Sequence, residues 1–180
     1  MRSPFTFITV RQSFGFGALV LCAGFTGSSQ ASGFIDDTTA NIESRTMYFN
    51  RDFRDGHTST EQGASKRDES AQGFILNLQS GYTEGTVGFG IDALGMAGFK
   101  LDSSPDSSNS GLLPSSGENP RGSADQYAKL GLTAKVRVSK SVLKYGALRP
   151  DLPLLKYNDG RLLPTMFNGA MLTSKEVKDL

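Results

Sequence analysis

Apolar and polar side chains alternate along several long segments of the chain. The longest is TVGFGIDALGMAGFKL, Thr86 to Leu101, about three times the usual strand length of roughly 5–6 residues. The others are SRTMYFNRDF from Ser44 to Phe53, AQGFILNLQSGY from Ala71 to Tyr82, ADQYAKLGLTAKVRV from Ala124 to Val138, and the shorter SVLKYGALR from Ser141 to Arg149. A period of two predicts β-strands with one apolar face, so we expect an all-β fold.

Connections of two lengths separate these segments. Thr83-Glu84-Gly85 and Ser139-Lys140 are short enough for tight turns. The connections at 54–70, 102–123 and 150–170 are long, and the second, which ends in SSNSGLLPSSGENPRGS, is so rich in Ser, Pro, Gly and Asn that we expect a solvated loop. Long loops alternating with short turns are typical of antiparallel transmembrane β-barrels. Such strands need about 9–11 residues to cross the hydrocarbon, which accounts for their length.

A secreted or periplasmic β-sandwich binding module is the alternative, because it also has alternating strands and turns. One observation favours the barrel. Lys129, Lys135 and Arg137 share one face of the Ala124 to Val138 strand, and the opposite face carries no charge from Leu130 to Val138. A water-filled lumen accepts such a polar face, and lipid covers the other.

Tyrosines fall near the ends of the predicted membrane crossings, at Tyr82, Tyr127 and Tyr145. Aromatic side chains concentrate where a barrel meets the two membrane interfaces. We therefore expect these tyrosines to form a thin interfacial girdle, since the chain has no Trp.

The third long connection, PDLPLLKYNDGRLLPTMFNGA, holds too many leucines for an open loop. We expect residues 150–168 to fold inward against the barrel wall, with the charged side chains turned to the lumen, although a packed surface loop is an equal alternative. The predicted solute path combines the cations of the strands with the charges in and beside this loop: Lys129, Lys135, Arg137, Lys144, Arg149, Asp151, Lys156, Asp159 and Arg161.

The first residues have the plan of an export signal. Arg2 and Arg11 precede or flank an apolar stretch, no acidic residue occurs before Asp36, and small residues stand at Ser29 and Ala31. This pattern predicts a signal peptide over residues 1–31 and hence export through the periplasm. The only cysteine, Cys22, lies inside it, so the remaining chain has no thiol.

Charge and composition argue against several classes of function. The chain has 19 basic and 18 acidic side chains, and two of the basic ones lie in the predicted signal, so no nucleic-acid partner is expected. His57 is the only histidine. A His-based triad or a His/Cys metal cluster cannot be assembled from one such residue. We predict a protein without a cofactor that is not an enzyme.

Three segments carry a resemblance to a known family. YFNRDFRDG (Tyr48 to Gly56), AQGFILNLQSGYTEGTVGFGIDALGMAGFKLDSS (Ala71 to Ser104) and LRPDLPLLKYNDGRLLPTMFNGAMLTSKEVKDL (Leu148 to Leu180) resemble the beginning of an OprD-type outer-membrane porin of pseudomonads and relatives. The similarity extends over essentially the whole chain after residue 31.

The resemblance implies an eighteen-stranded barrel of which residues 32–180 form the first five or six strands. It also implies selective passive uptake of small anionic or zwitterionic solutes that carry carboxylates, such as amino acids or aromatic acids, with 150–168 as the constricting loop. The expected location is the cell outer membrane, with its lipid and the barrel-assembly machinery as partners. On this interpretation the chain is a fragment or a truncated product.

Overall fold

The computed structural model describes residues 10–15, 32–53, 66–117 and 122–176. His57 lies outside them. The described elements are one short helix and a series of strands. In chain order they are β1 (Val10–Gly15), α1 (Ser32–Asp36), β2 (Thr39–Asp52), β3 (Lys66–Gln79), β4 (Val87–Asp102), β5 (Gln126–Val138), β6 (Ser141–Leu148) and β7 (Phe167–Ser174). In these segments no helix has the length and apolar character needed to cross a membrane.

The strands form one antiparallel sheet in which each strand pairs with its neighbours in sequence. Across the described ranges the order is β1-β2-β3-β4-β5-β6-β7. The prediction of an all-β antiparallel fold is confirmed. The β-sandwich alternative is wrong, because a sandwich needs two sheets packed face to face.

The strands reach further than the alternation predicted. β2 begins at Thr39 rather than Ser44, and β3 begins at Lys66 rather than Ala71. The ladder continues through Arg51↔Arg67 to Asp52↔Lys66. The start of β3 was missed because Lys66, Arg67, Asp68 and Glu69 are charged, and a pattern based on apolar positions assigns such a run to a loop. At its other end β3 stops at Gln79, short of the predicted Tyr82.

β1 lies within the predicted export signal. Its residues pair with Asn41 to Thr46 of β2. Removal of residues 1–31 would leave that edge of β2 unpaired. The strands β2 to β7 follow residue 31 and give the number of strands that the sequence predicts.

The two faces of the sheet differ in character. One, the outer face, exposes large apolar side chains at alternate positions of every strand from β2 to β7, as expected of a surface in contact with lipid. They include Ile42, Phe74, Leu76, Leu78, Phe89, Ile91, Phe99, Leu130, Leu132, Leu143 and Leu172. The other, the inner face, is covered in part by the loops 103–125 and 149–166.

The apolar core lies between the inner face and these loops. Met47, Ala71, Ile75, Leu94 and Met96 supply the sheet side of the core. Each loop supplies two adjacent leucines, which are Leu112 and Leu113 in the first and Leu162 and Leu163 in the second. The prediction that the loop after β4 is solvated is therefore wrong for the part that contains this buried leucine pair, whereas residues 104–106 and 114–115 are exposed.

Glu69 anchors the loop 103–125 to β3. Its carboxylate is fully buried and accepts hydrogen bonds from Ser103 Oγ at 2.7 Å, from the Ser110 N–H at 2.8 Å and from Ser123 Oγ. Serines at the start, middle and end of the loop thus converge on one group. The serine content that predicted solvation instead provides the donors that a buried carboxylate requires.

The loop 149–166 is only partly buried. Leu162 and Leu163 are 0% and 3% exposed, whereas Leu154 is fully exposed and Leu152 and Leu155 are about half exposed. The expectation that the loop buries its leucines therefore holds for the second half alone. Its end also differs from the predicted 168, because Phe167 pairs with Leu148 as the first residue of β7.

Candidate solute path along the inner face

The inner face of β5 and β6 carries a group of cations near the short turn that joins these strands. Lys135 and Lys144 are register partners, so their side chains leave the sheet side by side. Arg137 lies two residues further along β5 on the same face and is exposed. The alternation of β5 explains the grouping, because residues two apart share a face.

Asp92 of β4 joins two of these cations. One carboxylate oxygen lies 2.6 Å from Lys135 Nζ, and the other lies 3.2 Å from Lys144 Nζ. Lys135 is 5% exposed, Asp92 13% and Lys144 30%. A buried charge is tolerated only when it is paired and hydrogen-bonded. Lys135 meets that condition, because it also donates to the Ser80 carbonyl at 2.6 Å.

The ring of Tyr82 contacts two cations of β5. Arg137 Cζ lies 4.3 Å and Lys135 Nζ 4.8 Å from the centre of its ring, within the range of cation–π attraction. The inner location contradicts the predicted girdle at this position. Tyr127 also departs from it, since its hydroxyl donates to the Leu112 carbonyl, whereas Tyr145 is 69% exposed.

Two cavities open along this face, and Lys144 lines both. The smaller, of about 140 Å³, also has Asn77, Gln79 and Arg149 in its wall. The larger, of about 460 Å³, lies at the end of the short turn and is lined by Tyr82, Arg137, Ser139, Lys140, Val142, Lys144, Thr173 and Lys175. Four of these side chains are cationic, and among the residues that the structure describes no carboxylate lines that cavity.

An ion pair ties the loop 149–166 to β2. Arg45 is 3% exposed and contacts Glu43 Oε1 through Nε at 2.6 Å and Asp159 Oδ1 through Nη2 at 2.7 Å. Arg161 extends the link by donating from Nη1 to the Gly111 carbonyl at 2.9 Å. The two inward loops are therefore joined to the wall and to one another. Asp159 and Arg161, which the sequence placed in the solute path, form these structural contacts.

The remaining predicted path residues lie in two settings. Lys129 is exposed on β5 opposite Met96, and Arg149 has its guanidinium carbon 5.7 Å from the Tyr157 ring. Asp151 and Lys156 pair with each other at 3.0 Å across the exposed tip of the loop. The hydrogen bond to Asp151 raises the pKa of Lys156.

Sequence reasoning missed several residues of the site. Arg45, Tyr82, Asp92, Lys140 and Lys175 were not among the predicted path residues. Asp92 gave a usable signal, because it is an acidic residue within the long apolar segment from Thr86 to Leu101. Arg45 lies two residues from Glu43, but its link to Asp159 joins residues 114 positions apart, and no local pattern marks it.

An apolar outer face, a charged inner face and loops folded onto that inner face define the wall of a membrane β-barrel channel. The comparisons with known proteins then identify the family. The family described as outer membrane porin, OprD family, matches residues 32–180, and the chain belongs to it. Membership places the chain in the outer membrane.

Individual relatives are similar over most of this chain. The porin-like protein GalP of Pseudomonas putida is 39% identical over 160 residues, which are 89% of this chain and 37% of that protein. The crystal structure of Pseudomonas aeruginosa OccK9 (OpdG) is 50% identical, with a TM-score of 0.72 over 81% of this chain and 36% of that one. The crystal structure of Pseudomonas aeruginosa OpdK with vanillate is 48% identical, with a TM-score of 0.69 over 81% and 34%. The chain thus spans little more than a third of these proteins.

Proposed function

We propose that the chain forms part of an outer-membrane porin for the selective passive uptake of small solutes that carry a carboxylate, such as amino acids, aromatic acids or other organic acids. Anionic and zwitterionic solutes share this group. The proposal concerns a complete barrel that contains residues 32–176, since a pore needs a closed wall.

The observation that carries the proposal is the contrast between the two faces. One cavity of the inner face is lined by Arg137, Lys140, Lys144 and Lys175, with no carboxylate among its described lining residues. The outer face of β5 has no charge from Leu130 to Val138. A row of cations at the wall of a narrow aqueous path raises the local concentration of anions. As the solute moves, its carboxylate leaves one cation and contacts the next.

Lys129, Arg149 and Arg137 extend the proposed path along the inner face, and Lys135 supports it from a buried position. Asp151, Lys156, Asp159 and Arg161 belong to the loop 149–166, which we propose as the constriction. Its buried leucines and the Arg45 ion pair hold it on the inner face. A loop fixed there narrows the lumen next to the cations.

The relatives are consistent with this class of solute. The OpdK structure was obtained with vanillate, an aromatic carboxylate. GalP is named a porin-like protein, a channel rather than an enzyme. Outer-membrane lipid is the proposed surrounding of the apolar outer face, and the barrel-assembly machinery is the proposed partner for insertion.

The test is made in a hybrid barrel, in which residues 32–176 replace the matching segment of OccK9. Its folding is checked by the change in gel mobility on heating. The initial rate of uptake into proteoliposomes is measured for benzoate and for benzamide, which is similar in size and uncharged. Arg137→Gln with Lys144→Gln should reduce benzoate uptake several-fold and leave benzamide uptake unchanged.

The control is Lys66→Gln, which removes the same charge from a lysine that is 58% exposed at the start of β3 and lines neither cavity. It should leave both rates near those of the parent. Equal uptake of benzoate and benzamide by the parent barrel, or equal loss of both in the double variant, would refute a path selective for carboxylates.

A further inference from the structure

Asp92 presents a single carboxylate to two lysines of unequal freedom. Lys135 is held by Asp92 Oδ1 at 2.6 Å, by the Ser80 carbonyl at 2.6 Å and above the Tyr82 ring, and it is 5% exposed. Lys144 contacts Asp92 Oδ2 at 3.2 Å and is 30% exposed. The first pair is therefore fixed, whereas the second is open to exchange.

Lys144 stands at the boundary between the two cavities of the inner face. Its side chain lines the cavity that contains Arg149 and also the cavity that contains Arg137 and Lys175. A solute that moves from one cavity to the other passes its ammonium group. That group already has a carboxylate partner of the type that the solute carries.

We propose that Asp92 is a positioning residue that competes with the carboxylate of the solute for Lys144. This inference rests on the proposed function. In the empty path the Asp92 carboxylate holds the ammonium. A passing carboxylate takes its place, and Asp92 recovers Lys144 when the solute moves on. The competition weakens the hold of Lys144 on the solute.

The physical reason is the balance that any selective path requires. Binding must be favourable enough for entry and weak enough for release. A lysine without a partner, beside three further cations of the larger cavity, would bind an anion strongly and release it slowly. Lys135 holds one oxygen of Asp92 at 2.6 Å, and the other oxygen lies 3.2 Å from Lys144. The Asp92 carboxylate therefore stays near Lys144 but contacts it less closely than it contacts Lys135.

The test variant is the hybrid barrel with Asp92→Asn and Lys135→Gln together. The pair of changes removes one negative and one positive charge, so the net charge is preserved and no buried ion loses its partner. Lys144 keeps its charge and loses its competitor. The matched control, Lys100→Gln with Asp125→Asn, removes another ion pair, between a β4 side chain and the last residue of the loop 103–125. It too preserves the net charge.

Benzoate uptake into proteoliposomes is measured against concentration. We expect the half-saturating concentration of the test variant to fall about two- to five-fold, the range given by a partly exposed ion pair of up to about 1 kcal/mol. The maximal rate should fall as well, because release becomes slower. Benzamide uptake and the control variant should stay unchanged.

Two outcomes would overturn the role of Asp92. One is a half-saturating concentration that stays constant or rises in the test variant. The other is a fall in the half-saturating concentration that persists when Lys144→Gln is added to the test variant, since the proposed effect acts through Lys144. If the parent barrel prefers benzoate to benzamide, either outcome refutes the role of Asp92 and leaves the proposed function standing. If the parent shows no preference, the proposed function fails, and this inference fails with it.

Discussion

The Arg45 guanidinium on β2 lies 2.7 Å from the Asp159 carboxylate in the loop 149–166. This ion pair joins a strand near the beginning of the sheet to a loop between its last two strands. Arg45 is 3% exposed and Asp159 28%, so the pair is shielded from most solvent screening. The loop is therefore held on the inner face by charge as well as by its leucines.

Replacing Asp159 by Asn should loosen the loop 149–166. Arg45 keeps Glu43 but loses its second carboxylate, and a hydrogen bond to a charged group contributes about 1.5–3 kcal/mol. In single-channel recordings of the hybrid barrel we expect a higher mean conductance and more current noise. Asp151→Asn, which breaks the exposed pair with Lys156 in the same loop, is the control and should leave the trace unchanged. Identical traces for the two variants would mean that this ion pair does not hold the constriction.

Leu162 and Leu154 allow a buried and an exposed leucine of the loop 149–166 to be compared, and so test how far apolar packing holds this loop on the sheet. Leu162 is fully buried and Leu154 fully exposed. Leu162→Ala should cost about 2–5 kcal/mol of loop attachment, because it leaves a cavity against the sheet, whereas Leu154→Ala should cost less than about 0.5 kcal/mol. Hydrogen exchange of the peptide 157–166, followed by mass spectrometry, should accelerate strongly in the first variant only. Comparable exchange in both variants would contradict the packing described above.

Glu69→Gln should release the loop 103–125. The amide retains one acceptor oxygen, but the neutral group forms weaker bonds with Ser103, Ser110 and Ser123. A loss of about 1.5–3 kcal/mol should make proteolytic cleavage within the loop about ten-fold faster or more, since cleavage follows the population of the open loop. Asp106→Asn, an exposed change in the same loop, should not alter the rate. A cleavage rate for Glu69→Gln that equals the parent rate would show that other contacts hold the loop.

The strands and the distinction between the two faces could be predicted from the sequence, because both depend on local alternation. β4 is observed from Val87 to Asp102, within one residue of the segment that the pattern defined. The chain also bends at Gly85, with the positive φ of 128° that glycine tolerates, but the connection between β3 and β4 covers residues 80–86 and is longer than the predicted tight turn.

The attachments of the loops could not be predicted, because they join residues that are far apart in sequence. Glu69 reaches a serine 54 positions away, and Arg45 reaches the backbone of Asp159 over 114 positions. No local pattern marks such partners. For the same reason, the sequence predicted a solvated loop at 103–125. The structure shows that its serines bind the buried Glu69 carboxylate and that its leucine pair packs against the sheet.

The last prediction is that the 180-residue chain alone does not conduct. The described strands run in order from β1 to β7, which leaves one edge of the sheet on each of these two strands. Each unpaired backbone group costs several kcal/mol in hydrocarbon, so an open sheet does not persist in a bilayer. The purified chain, refolded with lipid, should give no unitary steps in planar bilayers, whereas the hybrid barrel should give them under the same conditions. Reproducible steps from the chain alone would show that its edges close, either on themselves or between copies.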